Sequence, residues 1–422
     1  MDKNRTVSLC VVVRDDAPFL TRCLESFQDV VHEVCVVFTG EIDGDALALA
    51  QAFKAKVLIS ETAMVHNRCL ELATMNWIIM VEADEYLKRD DALALNEALM
   101  RYDEDGFLVR ILSFSREGTP FYVTRLAPRI FRNNGIFYYE GNFYEQLVST
   151  NPEANFEMIE VGFYQTGLLQ RKNDDLTLLK KMIDENGTSM VNLFRLANAL
   201  SRHPNMRQET LELYELIYKG IDFNADFAPR LVVYRVLALI RAELWDEALC
   251  VIEEGLSYFP DFTDLVYQRG VVERKKGLII RPIRSFEACL EMGKPRSELE
   301  FSSASYQYGP MFHLAELMAQ EAFFEEAFEY YQECWLLDSN YRLLSRMFDC
   351  LVNSGVGQKE IALRMRRFFN LDNDLNRVAY VNLLLEKAFF EEAYNFLMAD
   401  GTWGAVEKQH QLIEKVLVMM AD

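Results

Sequence analysis

None of the eight cysteines (Cys10, Cys23, Cys35, Cys69, Cys250, Cys289, Cys334, Cys350) stands in a C-x-x-C pair, and all are scattered through apolar segments. That spacing excludes the usual zinc-ligand sets and a disulfide framework, and reads as buried thiols of a reducing compartment. Basic residues are also scarce: 44 Lys and Arg stand against 65 Asp and Glu, for a net charge of −21, and no long Lys/Arg run occurs. Such a surface repels phosphate backbones and anionic membranes, so no nucleic-acid partner is expected. No segment reaches the ~18 consecutive apolar residues of a membrane span, so no transmembrane segment is expected. The first apolar run, Leu9 to Val13, is too short for a signal-peptide core and has Arg14-Asp15-Asp16 directly behind it. The expected location is cytoplasmic.

What is present is apolar residue in quantity. Half of the 422 residues are apolar and 12% are aromatic, enough for packed cores and against disorder. A chain of this length exceeds what one core usually holds, so two or more domains are expected.

The first part alternates strand and helix. Val7 to Val13, Glu33 to Phe38, Lys56 to Ile59 and Trp77 to Val81 read as strands, separated by helical stretches with apolar faces such as Phe19, Leu20, Cys23, Leu24 and Phe27. That alternation predicts a mostly parallel sheet with right-handed crossovers. From Gly106 the pattern changes to aromatic-rich strands with no convincing helix between them, at 107–114, 121–131, 136–139, 143–148 and 156–163. They predict antiparallel strands added beside the parallel sheet.

Within this part, Trp77-Ile78-Ile79-Met80-Val81 runs into Glu82-Ala83-Asp84-Glu85. Residues i and i+2 of an extended segment point the same way, so Glu82 and Asp84 can converge just past the strand end, where open α/β sheets bind ligands. Carboxylates there suit a hard divalent cation bridging to a diphosphate. They equally suit the acidic start of a solvated helix.

The order of these pieces resembles a family 2 glycosyltransferase of GT-A fold, in the subgroup joined to a helical repeat tail. The likeness runs through Arg14-Asp15-Asp16 with Phe19-Leu20-x-Arg22-Cys23-Leu24-Glu25-Ser26, then Phe38-Thr39-Gly40-Glu41-Ile42-Asp43 and Glu82-Ala83-Asp84-Glu85. It continues with Arg129-Ile130-Phe131-Arg132-Asn133, Gly141-Asn142-Phe143-Tyr144-Glu145 and the link Gln170-Arg171-Lys172-Asn173-Asp174, covering about residues 7 to 175. The resemblance implies a nucleotide-sugar site lined by Val13, Asp15, Asp16, Phe38, Thr39, His66, Asn67 and Glu82. It implies Mn²⁺ or Mg²⁺ on Asp84 and Glu82, and a general base at Glu145, with Glu140 second. Phe38 stands where the family has a base-reading acid, His66 where it has an arginine, Glu82 where it has an aspartate and Tyr144 where it has a histidine.

The second part repeats itself. Phe323-Phe324-Glu325-Glu326-Ala327 recurs as Phe389-Phe390-Glu391-Glu392-Ala393, with Leu244-Trp245-Asp246-Glu247-Ala248 as a cousin. Trp245, Ala248, Ile252 and Pro260 return 34 residues later as Ile279, Pro282, Phe286 and Lys294. The period and the small–aromatic pattern resemble degenerate tetratricopeptide repeats, stacked into a superhelix with a concave face for a protein partner. An insertion, Pro295 to Tyr306, breaks the period.

The expected architecture is therefore a GT-A-like α/β domain over 1–165 and an all-α superhelical repeat domain over 166–422. The expected function is metal-assisted, inverting transfer of a sugar from a nucleotide-diphospho-sugar donor to a protein or glycan acceptor. The departures at Phe38, His66, Glu82 and Tyr144 motivate the alternative of a non-catalytic, glycosyltransferase-like binding or scaffold protein acting through its repeats.

Overall fold

A computed structural model describes residues 5–14, 17–40, 42–60, 65–101, 103–141, 145–166, 180, 189–225, 227–296, 299–399 and 403–421. An eight-stranded mixed sheet has the order β3-β2-β1-β4-β7-β6-β10-β5. Its members are β1 (Val7–Val13), β2 (Glu33–Phe38), β3 (Lys56–Ile59), β4 (Trp77–Glu82), β5 (Glu85–Leu87), β6 (Gly106–Phe114), β7 (Tyr122–Arg132) and β10 (Phe156–Gln165). A separate hairpin pairs β8 (Phe137–Glu140) with β9 (Gln146–Ser149). The β3-β2-β1-β4 half is parallel, whereas β7 is antiparallel to both β4 and β6. The late aromatic strands are not uniformly antiparallel, because β10 runs parallel to β6.

Strands β1 and β4 and most of β2 are buried on both faces, which is why they are continuous apolar runs, while β3 at the sheet edge is half exposed. Alternate residues divide between two cores. Val7, Leu9, Val11 and Val13 join Trp77, Ile79 and Val81 beneath α1 (Leu20–Phe27) and α4 (Arg89–Arg101). Cys10 and Val12 join Ile78 and Met80 on the opposite face, against Val65 and Cys69 of α3 (Val65–Leu72). Helix α2 (Gly44–Ala52), between β2 and β3, is capped by Asp43, whose carboxylate accepts the Asp45 N–H at 2.9 Å. Helix α4, which the acidic stretch concealed in the sequence, carries Asp90 and Asp91 in its first turn and packs Ala92, Leu95, Ala98 and Leu99 inward.

Beyond the sheet the chain is helical: α5 (Met190–Leu200), α6 (Arg207–Gly220), α7 (Ala228–Arg241), α8 (Trp245–Tyr258), α9 (Thr263–Lys275) and α10 (Ile280–Met292). After the insertion follow α11 (Tyr308–Gln320), α12 (Phe324–Leu337), α13 (Tyr341–Asn353), α14 (Gln358–Arg366), α15 (Asp374–Glu386), α16 (Phe390–Ala399) and α17 (Val406–Ala421).

The recurrent motif marks one turn geometry. Glu243, Ala322 and Ala388 each have φ near +60°, immediately before Leu244, Phe323 and Phe389. The N–H of each following residue donates to the carbonyl five positions earlier, at 3.0, 2.9 and 2.9 Å. This is the helix-ending arrangement that usually takes glycine. Gly277, 34 residues after Glu243, holds that place in the next turn with φ +76°. Four positions past Leu244, Phe323 and Phe389, the small residues Ala248, Ala327 and Ala393 are fully buried, letting the paired helices approach.

A left-handed conformation strains a residue with a Cβ by about 1–2 kcal/mol, while glycine gives back about 0.5–1 in unfolded-state entropy. Ala322→Gly and Ala388→Gly are therefore each expected to stabilise by up to about 1 kcal/mol in urea unfolding. A loss of stability from both would show that these turns are not strained.

The chain divides into two compact units, residues 1–277 with 292–306, and residues 278–291 with 307–422. The sequence boundary at 165/166 lies inside the first unit. The reason is the insertion. Ser302 forms an antiparallel bridge with Val123 of β7, Thr124 N–H donates to the Phe301 carbonyl at 2.9 Å, and Tyr122 N–H donates to Ser303 Oγ at 2.9 Å. The segment that breaks the repeat period thus pairs with the first residues of β7, beyond the stretch (Ile130–Arg132) that β4 covers. In the second unit, α11 to α17 share one core around Tyr331, Met347, Phe348, Leu384 and Leu397.

Candidate functional site

The strand-end acids were expected to face an open pocket. Val13 and Phe38 are paired neighbours at the ends of β1 and β2, and Val12 pairs with Glu82 at the end of β4. The parallel register therefore brings three expected donor-site positions together. Asp15, Asp16 and Tyr144 lie outside the described residues, as does the link at 170–174.

Phe38 is 2% exposed and belongs to the core that also holds Val36, Ala46 and Ala50. A ring so placed is packed into the sheet core and not turned to solvent. The β-strand period decides this: residue 38 falls on the same face as Val36. Thr39 is half-buried, and its N–H donates to the Val13 carbonyl at 3.0 Å.

The acids of the Glu82–Glu85 cluster have separate fates. Glu85 is fully buried, paired with Arg129 Nη2, and has Arg125 Nη2 at 3.8 Å. Its other oxygen accepts the Glu82 N–H at 3.2 Å. Burial raises the Glu85 carboxyl, opposed by Arg129 and Arg125. Asp84 is 2% exposed, and both its oxygens lie near the side-chain amide of Gln165, at 3.1 and 3.3 Å. Glu82 keeps 20% side-chain exposure and comes within 3.9 Å of His66 Nε2.

Glu145, the expected base, sits at the start of α3. Its oxygens accept the Val65 and His66 N–H groups at 3.0 and 2.9 Å, and His66 Nδ1 lies 3.1 Å from Oε1. Its side chain is 1% exposed. A carboxylate there satisfies N–H groups that the helix leaves unbonded and complements the helix dipole. His66 stacks on Tyr139 at 4.6 Å, and Asn67 clamps β8 by accepting the Tyr139 N–H and donating to its carbonyl, both at 2.7 Å. Glu140 is exposed in β8, opposite Gln146 of β9.

His66, Glu82 and Glu145 are thus brought together, while Asp84 and Glu85 are turned to other partners. The partners that sequence reasoning did not assign are Gln165 for Asp84 and Arg129 for Glu85. Arg129 was visible in the Arg129-Ile130-Phe131-Arg132-Asn133 stretch, but nothing local to Gln165 marks it. Removing Glu145 leaves two helix N–H groups without acceptors, so Glu145→Ala is expected to cost about 1–3 kcal/mol. Hydrogen exchange of the α3 amides checks this, and unchanged protection there would contradict the capping role.

Among the described residues, no group of three or more His, Cys, Asp or Glu side chains is arranged to hold a metal ion. No helix among them is long and apolar enough to cross a membrane.

No family model matches the chain. Over 143 residues it is 33% identical to a TPR (tetratricopeptide) repeat-containing protein of Synechococcus elongatus, a stretch covering 33% of this chain and 34% of that protein. The chain thus spans about a third of the length of the curated relative it matches. Among solved structures, a tetratricopeptide repeat protein from Parabacteroides merdae is 15% identical, with a TM-score of 0.35 over 57% of this chain and 91% of that one. YrrB, described as a TPR protein with an unusual peptide-binding site, is 18% identical, with a TM-score of 0.33 over 48% and 96%. At such scores these superpositions carry no argument. The helical part is a repeat region resembling the tetratricopeptide type, on the turn geometry given above and the sequence relative.

Proposed function

We propose that this chain is a non-catalytic binding or scaffold protein that works through its helical repeats, with the α/β domain as a glycosyltransferase-like platform. One observation carries the reading: the carboxylates best suited to chemistry are already bonded within the chain. Asp84 is held by Gln165, Glu85 by Arg129, and Glu145 by the first N–H groups of α3. The repeat-containing relative supports the part assigned to the repeats.

The second reading is a metal-assisted transferase moving a sugar from a nucleotide-diphospho-sugar to a protein or glycan. The ordered motifs favour it, together with the partial exposure of Glu82 at the end of β4. In that reading Glu82 and Asp84 would hold Mn²⁺ or Mg²⁺, which would supply a Lewis acid for the departing diphosphate. Asp84 as it stands does not fit that role, because the Gln165 amide must turn away before its oxygens can reach a cation.

A thermal-shift panel of UDP-, GDP- and dTDP-sugars, with and without Mn²⁺, separates the two. A ligand at 100 times its dissociation constant stabilises by about 2.7 kcal/mol. No shift is expected with any member, and a Mn²⁺-dependent shift with one nucleotide would favour the transferase.

A further inference from the structure

The first compact unit holds a half-open cavity of about 260 Å³, far in sequence from the strand-end acids. It lies where α7, α9 and the segment 299–305 meet Val123 of β7, and its wall is mostly apolar, from Val123, Val233, Leu237 and Phe301. Three charged side chains also line it. Arg230 and Glu300 pair with each other at 2.8 Å, and Arg125 adds a second positive charge acting on Glu300.

The third is Asp264, 5% exposed. Its Oδ2 accepts the Ser302 N–H at 2.9 Å, the Ser305 hydroxyl also bears on the carboxyl, and its Oδ1 is buried with no hydrogen-bond partner of good geometry. A buried carboxylate without a cation is costly, and so is a buried acceptor without a donor. The nearby positive charges are directed at Glu300.

We propose that this cavity binds a primary ammonium group on a short apolar stem, with the ammonium donating to Asp264 Oδ1. An ammonium supplies both the missing donor and the missing charge, while the apolar wall takes the stem. A divalent cation would find one carboxylate where it needs six or more oxygens. An anion would meet two carboxyl groups. Burial pushes the Asp264 carboxyl up to about 7, so near neutrality part of the population carries a proton there. A bound ammonium favours the carboxylate, and the proton leaves to solvent as the ligand enters. The site owes nothing to the nucleotide-sugar question, and its test stands apart from that one.

The test is calorimetric titration of the full chain with phenethylamine and with its neutral match, phenethyl alcohol, at pH 7 in two buffers of different ionisation heat. The amine is expected to bind at least about tenfold more tightly than the alcohol, with release of about half a proton per site. Asp264→Asn is expected to abolish that preference. Ala304→Leu fills the cavity while leaving the carboxyl, and is expected to weaken the amine by about tenfold or more, so a failure of Asp264→Asn to fold leaves the proposal testable. Equal binding of the alcohol, no proton release, an unchanged amine affinity in either folded variant, or no binding at about 10 mM amine would each overturn it.

Discussion

Replacing Arg129 with methionine is expected to lower the stability of the α/β part by about 3–5 kcal/mol, since it strands a buried charge. Glu85 is fully buried, and Arg129 is its close partner. Burial alone raises the carboxyl, and the guanidinium is the main opposing influence. Arg125, 3.8 Å from the same oxygen, can take part of the load, so the lower end of the range is expected. The double variant Glu85→Leu with Arg129→Met should recover most of the loss, because removing both charges avoids the stranded one. Hydrogen exchange at β4 and β7 reads this locally. A single variant that loses less than about 1 kcal/mol would show that the pair is solvated, contrary to its burial.

The second large effect depends on pH. Burial raises the Asp264 carboxyl from the ordinary 3.8 to about 7, helped by Glu300 and opposed by the Ser302 N–H and the Ser305 hydroxyl. An acid whose folded value is raised binds its proton more tightly in the folded state. Its contribution is therefore fully present below about pH 4 and is lost as pH rises through 7. At 1.36 kcal/mol per unit, the shift corresponds to about 4 kcal/mol against the ionised protein. Asparagine keeps an acceptor for Ser302 without the charge. Asp264→Asn is thus expected to match the wild type below about pH 4, to lead by about 1–2 kcal/mol at pH 5 and to lead by about 4 kcal/mol at pH 8. Stability curves that run parallel between those pH values would contradict the shift.

How far the sequence reached depends on the range of the interaction. Strands β1, β2 and β4 were legible because a strand buried on both faces must be an apolar, β-branched run, and the short edge strand β3 because it falls between two helical stretches. The repeats were legible because Phe323-Phe324-Glu325-Glu326-Ala327 recurs as Phe389-Phe390-Glu391-Glu392-Ala393 and Trp245 and Ala248 return as Ile279 and Pro282 34 residues later, whereas the left-handed turn at Glu243 had no glycine to mark it. Helix α4 and strand β5 were not, because Glu82 to Asp91 has the same acidic texture whether it lines a site or begins a helix. The strand-end acids were located, but their roles turned on distant partners. Gln165 lies 81 residues from Asp84, and Arg129 lies 44 from Glu85. No local pattern announces such pairs. The insertion at 295–306 looked like an interruption, and only the bridge from Ser302 to Val123 shows what it joins.

Sugar release decides most directly whether the strand-end carboxylates serve the fold or a reaction. The full chain is incubated with UDP-, GDP- and dTDP-sugars, Mn²⁺ and cell extract as acceptor, beside Asp84→Asn. The expected result is no release above the protein-free control for either form. Metal-dependent release by the wild type that Asp84→Asn abolishes would contradict the scaffold reading and establish a transferase.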